Sequence, residues 1–368
     1  MSINFQKPPE LVSLEQKLKD FPTFVADYIH HKRQETTLQT AISYLYDLST
    51  FFDWMGYTGL FTGSKSEVPY SLLEKMPVKQ AMEYKAFLKD IEYIKNTKTE
   101  EKAKYKETTI NRKLTAVKDL FNYLCNIAET DNLEPLMTRN VMAKIKLIDL
   151  KVEIDKLADN IASKILWESE FDEFIDFIRY DYIHRLNGKT KEVNFHNKNC
   201  ERDVALISLI LDSGLRAFEV VGLNLSDISF HNNKISVLGK GNKAASVPFG
   251  DVAKRDLQEY LSVRTNKYKV DPGYEPVFLS SGTGPKGEPS RLTKRQLQNI
   301  VEKYAKAFGK PNISVHKLRH SYATAYHEKN NDIAKLSKQL RHADPKTTMI
   351  YHHVNDDQRV AAAKRVRG

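Results

Sequence analysis

The sequence predicts a mainly α-helical protein with one small antiparallel β-sheet, built as two domains. A length of 368 residues exceeds what one hydrophobic core usually serves, and 41% apolar residues suffice for two. Apolar residues recur at spacings of three and four along most of the chain, which is the helical period. Strand-like alternation is confined to two short runs flanking Gly239, Lys240, Gly241 and Asn242.

Residues 11–147 read as a helical bundle. Leu38, Ile42, Leu45, Leu48, Phe52 and Met55 mark one buried face, and Leu114, Val117, Leu120, Phe121 and Leu124 mark another. The second helix is expected to start near Thr108 and Thr109, a capping residue ahead of Arg112 and Lys113. A further helix is expected over 77–94, and the lysine-rich residues 95–106 read as a mobile connection. Residues 147–160 are polar, lack an apolar period and read as the linker. The domains are therefore placed at 1–155, with an N-terminal extension, and 156–368, with a short C-terminal tail. In the second, helices are expected over 171–178 and 202–211, with a break at Gly214 and a short helix through Glu219. Strands are expected over 234–238 and 245–249. Helices resume over 252–264, 293–308, 316–329 and 332–340.

Composition narrows the function. The longest apolar run, residues 204–211, is far too short to cross a bilayer, and residues 1–13 hold two prolines and no secretory pattern. Cys125 and Cys200 alone make neither a disulfide framework nor a zinc cluster, so a soluble cytoplasmic protein is expected. The formal net charge is +10 and unevenly placed. Residues 1–160 carry 23 basic and 23 acidic side chains, residues 161–290 carry 17 and 18, and residues 291–368 carry 17 and 6. A field concentrated in the last 78 residues suits a polyanion, because each neutralised phosphate releases a counterion; a solvated basic face is the plain alternative.

The same region holds six of the 11 histidines. His316 and His320 stand four apart, a spacing that lets two imidazoles share a helix face and a metal ion. Lys317, however, occupies the place where a zinc protease carries glutamate, and no carboxylate cluster completes a site. A phosphate site suits the residue types better. Arg216 and Arg319 offer paired N–H donors and stay charged. A tyrosine such as Tyr351 attacks phosphorus if a base takes its proton, and a lysine such as Lys240 protonates the leaving alkoxide. Each has a plain alternative: Arg216 with Glu219 as a helix-surface ion pair, Tyr351 as one of 18 tyrosines in a core, Lys240 as a solvated turn.

The order Arg216, Lys240, His316 with Arg319, His342 and Tyr351 resembles the signature of the tyrosine recombinases, or phage integrase family, across residues 202–354. The first half resembles that family's helical core-binding (SAM-like) domain. Thr108 through Arg112 and Asn140, Val141 and Met142 look most like its single-protein Xer branch. The resemblance implies that Arg216, Arg319 and His342 hold the scissile phosphate, with His316 as phosphate ligand and candidate base. It implies that Tyr351 forms a 3′-phosphotyrosine bond, that Lys240 protonates the departing 5′-oxygen, and that Glu219 braces Arg216. It further implies no metal or ATP, a double-stranded recombination site gripped by both domains, a homotetramer on DNA, chromosome-dimer resolution at a dif-like site, and an FtsK-type translocase as partner. An integrase or transposase of a mobile element and a non-catalytic DNA-binding accessory protein are the alternatives.

For DNA contacts the expected residues are Asn111, Arg112 and Lys113 in the first domain and Lys294, Arg295 and Lys317 in the last segment, with solvated faces as the plain reading. The tail, residues 355–368, is expected to dock on a neighbouring protomer. Two positions depart from the family's pattern. Arg341 replaces the glycine before the last histidine, where a left-handed backbone would cost about 1 kcal/mol; either the loop differs or Arg341 adds a DNA contact. Phe218 replaces a small residue and is expected to alter packing only. Lys243 also lies in the hairpin, but Lys240 occupies the family's usual place.

Overall fold

The computed structural model describes residues 8–96, 99–150, 161–238, 244–283, 289–341 and 346–353. The chain divides into two compact units, Met1–Lys151 and Val152–Gly368. The expected boundary at 155/156 and most of the expected linker lie outside the described residues.

The first unit packs helices α1 (Pro9–Leu18), α2 (Thr23–Glu35), α3 (Leu38–Tyr57), α4 (Tyr70–Glu74), α5 (Val78–Asp90) and α6 (Glu107–Asn126) around one core. Helix α3 buries Leu45, Leu48, Phe52 and Met55 as the period requires, and Thr37 caps it by accepting the Thr40 N–H at 3.2 Å. Helix α6 starts at Glu107, one turn before the two cations, so Thr108 lies inside it and the expected cap is not formed. The region expected as helix end and mobile connection is a β-hairpin. Helix α5 stops at Asp90, and β1 (Glu92–Asn96) pairs antiparallel with β2 (Glu101–Lys104). Tyr93 and Ile94 favour strand over helix, and the Tyr93 ring stacks on Tyr105 at 4.7 Å.

The second unit contains α7 (Phe171–Asp176), α8 (Thr190–Ser213), α9 (Ala217–Gly222), β3 (Ile228–Ser229), β4 (Lys234–Leu238), β5 (Ala244–Pro248), α10 (Asp251–Tyr268), β6 (Leu279–Thr283), β7 (Pro289–Arg291), α11 (Lys294–Ala307), α12 (Val315–Asn330), α13 (Ile333–Leu340) and α14 (Lys346–His353). Strands β3, β4 and β5 form the expected antiparallel sheet, with Leu238 opposite Ala244 at the mouth of the hairpin. The tip, 239–243, lies outside the described residues. Strands β6 and β7 form a second ribbon, too short and polar to have been legible as strands.

Helix α8 runs twelve residues further upstream than its apolar run suggested, because the segment 190–201 is polar and offers little apolar period. It is the central element of the core, with Val204, Leu206, Ile207, Leu209 and Ile210 buried. Arg202 and Asp203 pair inside that core; Arg202 also donates to the Leu279 carbonyl, and Tyr304 donates to Asp203 at 2.9 Å, joining α8 to β6 and α11. Such a pair holds geometry more than it adds stability.

Helix α8 ends where sequence requires. Gly214 adopts φ +66°, a left-handed cap, and a Cβ there would stand 2.5 Å from the Tyr322 ring. That glycine brings the end of α8 against α12 and α13. A satellite cluster of Ile161, Ile165, Ala323, Leu336 and Leu340 surrounds Tyr351 on α14.

Candidate active site

Helix ends build the site. The last carbonyls of a helix have no partner within it and carry its negative pole. At the ends of α8 and α13 those partners are arginines. Arg319, on α12 and only 3% exposed, donates to the carbonyls of Gly214 and Leu340. Arg216, the residue before α9, donates from its side chain to the Arg341 carbonyl at 2.9 Å. Two guanidiniums, far apart in sequence, are thereby anchored beside each other.

Glu219 organises the rest. Its buried carboxylate accepts the Arg216 backbone N–H at 2.7 Å, pairs with the Arg216 guanidinium at 3.2 Å and accepts from Arg341 at 2.5 Å. Arg341 does adopt the left-handed conformation, φ +54°, that a glycine would favour. Its side chain does not point outward for DNA: it pairs with Glu219 and donates to the Gln339 carbonyl. Two guanidiniums therefore share one carboxylate, with the Arg319 guanidinium near enough to feel all three charges. Burial, then Arg216 and Arg341, press the Arg319 guanidinium down to about 10, the Glu219 charge offsetting only part of this. Arg319 remains charged at neutral pH, and the excess positive charge suits an arriving phosphate.

The nucleophile candidate lies on the adjoining helix. Tyr351 is 2% exposed, and burial pushes its phenol up to about 12 even with Arg319 pulling it down. Its hydroxyl stands 2.7 Å from Nδ1 of His320. His316, the histidine expected to serve the phosphate and the nucleophile, lies one turn earlier on α12 with its ring edge-on to that of His320, centroids 4.4 Å apart. Desolvation, followed by the cations Arg319, Lys317 and Arg216, holds His316 below its ordinary value, so it is neutral near pH 7. The residue in hydrogen-bond reach of Tyr351 is thus His320, which sequence reasoning treated only as half of a rejected metal pair. Its signal was the spacing of four, which puts both rings on one face. Lys240 and His342 lie outside the described residues. Among the described residues no group of three His, Cys, Asp or Glu could hold a metal ion, and no helix is long and apolar enough to cross a membrane.

The expected DNA contacts divide. Lys294 and Arg295 are exposed in the first turn of α11, and Lys317 is half-buried at the start of α12. In the first unit, two of the three expected residues are engaged within the fold. Asn111 exchanges two hydrogen bonds of 2.8 Å with the backbone of Ile148. Lys113 is buried, donating to Thr50 at 2.8 Å and pairing with Asp47 at 3.3 Å. Asn111 is half-buried and Lys113 buried, and each has its polar groups satisfied within the unit, as the cost of desolvating an unpaired polar group favours. Arg112 also pairs with Asp47 but leaves half its side chain in solvent.

A buried tyrosine beside clustered guanidiniums suits enzymes that break and rejoin DNA through the tyrosine, the class the comparisons identify. Residues 176–358 match the phage integrase family. The chain is 34% identical to tyrosine recombinase XerS of Streptococcus gordonii over 95% of its length and 97% of that protein. It is equally identical to XerS of Streptococcus pneumoniae (strain Hungary19A-6) over 94% and 96%. The chain belongs to the phage integrase, or tyrosine recombinase, family. Solved structures share its fold. XerH bound to a palindromic difH substrate in a post-cleavage complex aligns with TM-score 0.62 at 20% identity, covering 89% of this chain and 79% of that one. A lambda integrase (75-356) dimer bound to a COC′ core site aligns with TM-score 0.56 at 14% identity, covering 88% and 96%.

Proposed function

We propose that this recombinase resolves chromosome dimers at a dif-like site in the cytoplasm, working as a homotetramer on double-stranded DNA and responding to an FtsK-type translocase. Near-full-length similarity to XerS proteins favours that role over service to a mobile element. The first unit serves as the DNA-binding domain and the second as the catalytic domain.

In this reading Arg216 and Arg319 grip the scissile phosphate with His342 and His316, Glu219 braces Arg216, and Tyr351 attacks. The P–O5′ bond breaks, Lys240 protonates the 5′-oxygen, and a 3′-phosphotyrosine bond retains the energy for rejoining. Arg112, Lys294, Arg295 and Lys317 contact the DNA backbone. The observation that carries the proposal is the buried Tyr351 beside Arg319, within a cluster where arginines outnumber carboxylates.

The test traps the full chain on a nicked duplex carrying a sequence selected from a randomised library by the protein itself. A covalent protein–DNA band is expected that persists in EDTA and is absent in Tyr351→Phe. Loss in EDTA, or survival in that variant, overturns the mechanism. For the assembly, deleting residues 360–368 is expected to weaken pairing of two sites more than binding to one. An equal loss in gel-shift and synapsis assays would reject tail docking.

A further inference from the structure

The phenol of Tyr351 cannot ionise unaided at neutral pH. With its value pushed up to about 12, only about one molecule in 10⁵ would be phenolate at pH 7. Attack on phosphorus therefore needs a base within hydrogen-bond reach, and the geometry offers one.

We propose that His320, rather than His316, takes the proton of Tyr351 as the phosphotyrosine bond forms. This rests on the recombinase reading above. The Tyr351 hydroxyl and His320 Nδ1 are 2.7 Å apart, a hydrogen bond already in place. For the phenol to donate, Nδ1 must be the bare nitrogen, with the ring proton on Nε2. His320 lies one residue after Arg319 on α12, so the helix that supplies a phosphate-gripping guanidinium also supplies the base.

His316 is placed differently. It sits in the first turn of α12, exposed on one side and close enough to Lys317, Arg319 and Arg216, just before α9, to feel their charge. Its edge-on contact at 4.4 Å braces the His320 ring, leaving its own nitrogens for the phosphate. Around Tyr351, Arg319 is the charged group whose influence is felt, while Ala323, Leu336 and Leu340 supply apolar walls. A proton leaving Tyr351 is therefore delivered to His320 and not to bulk water.

The step balances. The Tyr351 O–H bond breaks and its proton goes to His320 Nδ1; the phenolate oxygen bonds phosphorus; the P–O5′ bond breaks and O5′ takes a proton from Lys240. His320 ends as imidazolium and Lys240 as neutral amine. Rejoining reverses both transfers.

The experiment uses the full chain and the self-selected nicked duplex, with single-turnover formation of the covalent band followed from pH 5.5 to 9.5 at saturating protein. His320→Asn keeps a hydrogen-bonding group at the Nδ1 position but takes no proton; His320→Ala removes both. Wild type is expected to climb through the imidazole range and level. Both variants should lose about 10²-fold or more at neutral pH, with rates rising in step with hydroxide throughout. Added imidazole should restore His320→Ala at least about tenfold, while gel-shift affinity stays unchanged. Should the alanine variant melt early, the asparagine variant carries the test. A His320→Asn rate within about threefold of wild type with the levelled profile intact overturns the proposal. So does a slow variant with an unchanged profile and no rescue, which marks His320 as positioning only. If His316→Asn alone abolishes the levelling, the base is His316. If wild type gives no covalent band on any nicked duplex, it is the recombinase reading that fails, whatever His320 does.

Discussion

Each unit gathers cations around a buried carboxylate, and the two clusters do opposite things. In the first, Asp47 is 1% exposed and takes both Arg112 and Lys113, with Thr50 receiving a second lysine donor. Burial raises the Asp47 carboxyl, and the two cations pull it back; burial in turn lowers Lys113. Two cations meet one carboxylate, with Lys113 closed inside the fold and Arg112 half in solvent. In the second, Glu219 is shared between Arg216 and Arg341, while Arg319 binds two main-chain carbonyls and, among the described residues, pairs with no carboxylate. Carbonyls fix a guanidinium without neutralising it. Positive charge is therefore held on main-chain carbonyls at the second cluster, whereas at the first the buried cation is spent on Asp47 and only Arg112 faces solvent, though both look in sequence like arginines or lysines near an acid.

The largest effect should break the second cluster. Arg319→Ala is expected to slow covalent-band formation by about 10³-fold, roughly 4 kcal/mol of transition-state stabilisation. It also leaves the Gly214 and Leu340 carbonyls unpaired, so a lower Tm should accompany the loss. The same arginine sets an alkaline limit. Because its folded value is depressed to about 10, its charge is lost as pH rises through 10, and cleavage by the free enzyme should fall there. A rate unaffected across that range in a protein still folded by circular dichroism would contradict the assignment.

A smaller effect separates framework from contact in the first cluster. Lys113→Ala should cost about 3 kcal/mol in urea unfolding by leaving Asp47 buried with one partner fewer. The salt dependence of DNA binding should be unchanged where the variant is folded. Arg112→Ala should cost less than Lys113→Ala, because Asp47 keeps its buried lysine, and should give a salt slope smaller by about one phosphate contact. If Lys113→Ala alone flattens the salt slope, Lys113 and not Arg112 is the residue that meets the phosphate.

The smallest effect concerns Arg341. Arg341→Gly removes a left-handed side chain, a gain of about 1 kcal/mol, and a Glu219 partner, a loss of similar size. Stability should move by less than about 1 kcal/mol while cleavage falls only several-fold as Arg216 loses part of its bracing. A drop as large as that of Arg319→Ala would make Arg341 a direct phosphate ligand.

Much of the second unit was legible. Helix starts at Lys294 and Ile333 follow from Thr293 and Asp332, whose side chains accept from the third helical N–H. The break at Gly214 follows from a conformation that glycine adopts without strain. The first unit was legible in its apolar faces and not in its polar ones. Nothing in the chain order of Asn111, Arg112 and Lys113 shows that one binds the backbone of Ile148 and another turns inward to Asp47, since that depends on which segments pack nearby. The β1–β2 hairpin was missed because its lysines read as solvated coil, whereas strand pairing satisfies the backbone whatever the side chains are.

By itself the sequence determined the helical class, the end of α8 and the ordered set Arg216, Lys240, His316, Arg319, His342 and Tyr351, because period, glycine conformation and residue chemistry are local properties. Tertiary structure alone decided that His320 touches Tyr351, that Arg341 turns to Glu219, and that Lys113 is buried. Each of those is a contact between segments joined only when helix ends and apolar faces pack, and hydrogen bonds reach about 3 Å regardless of how many residues separate their partners.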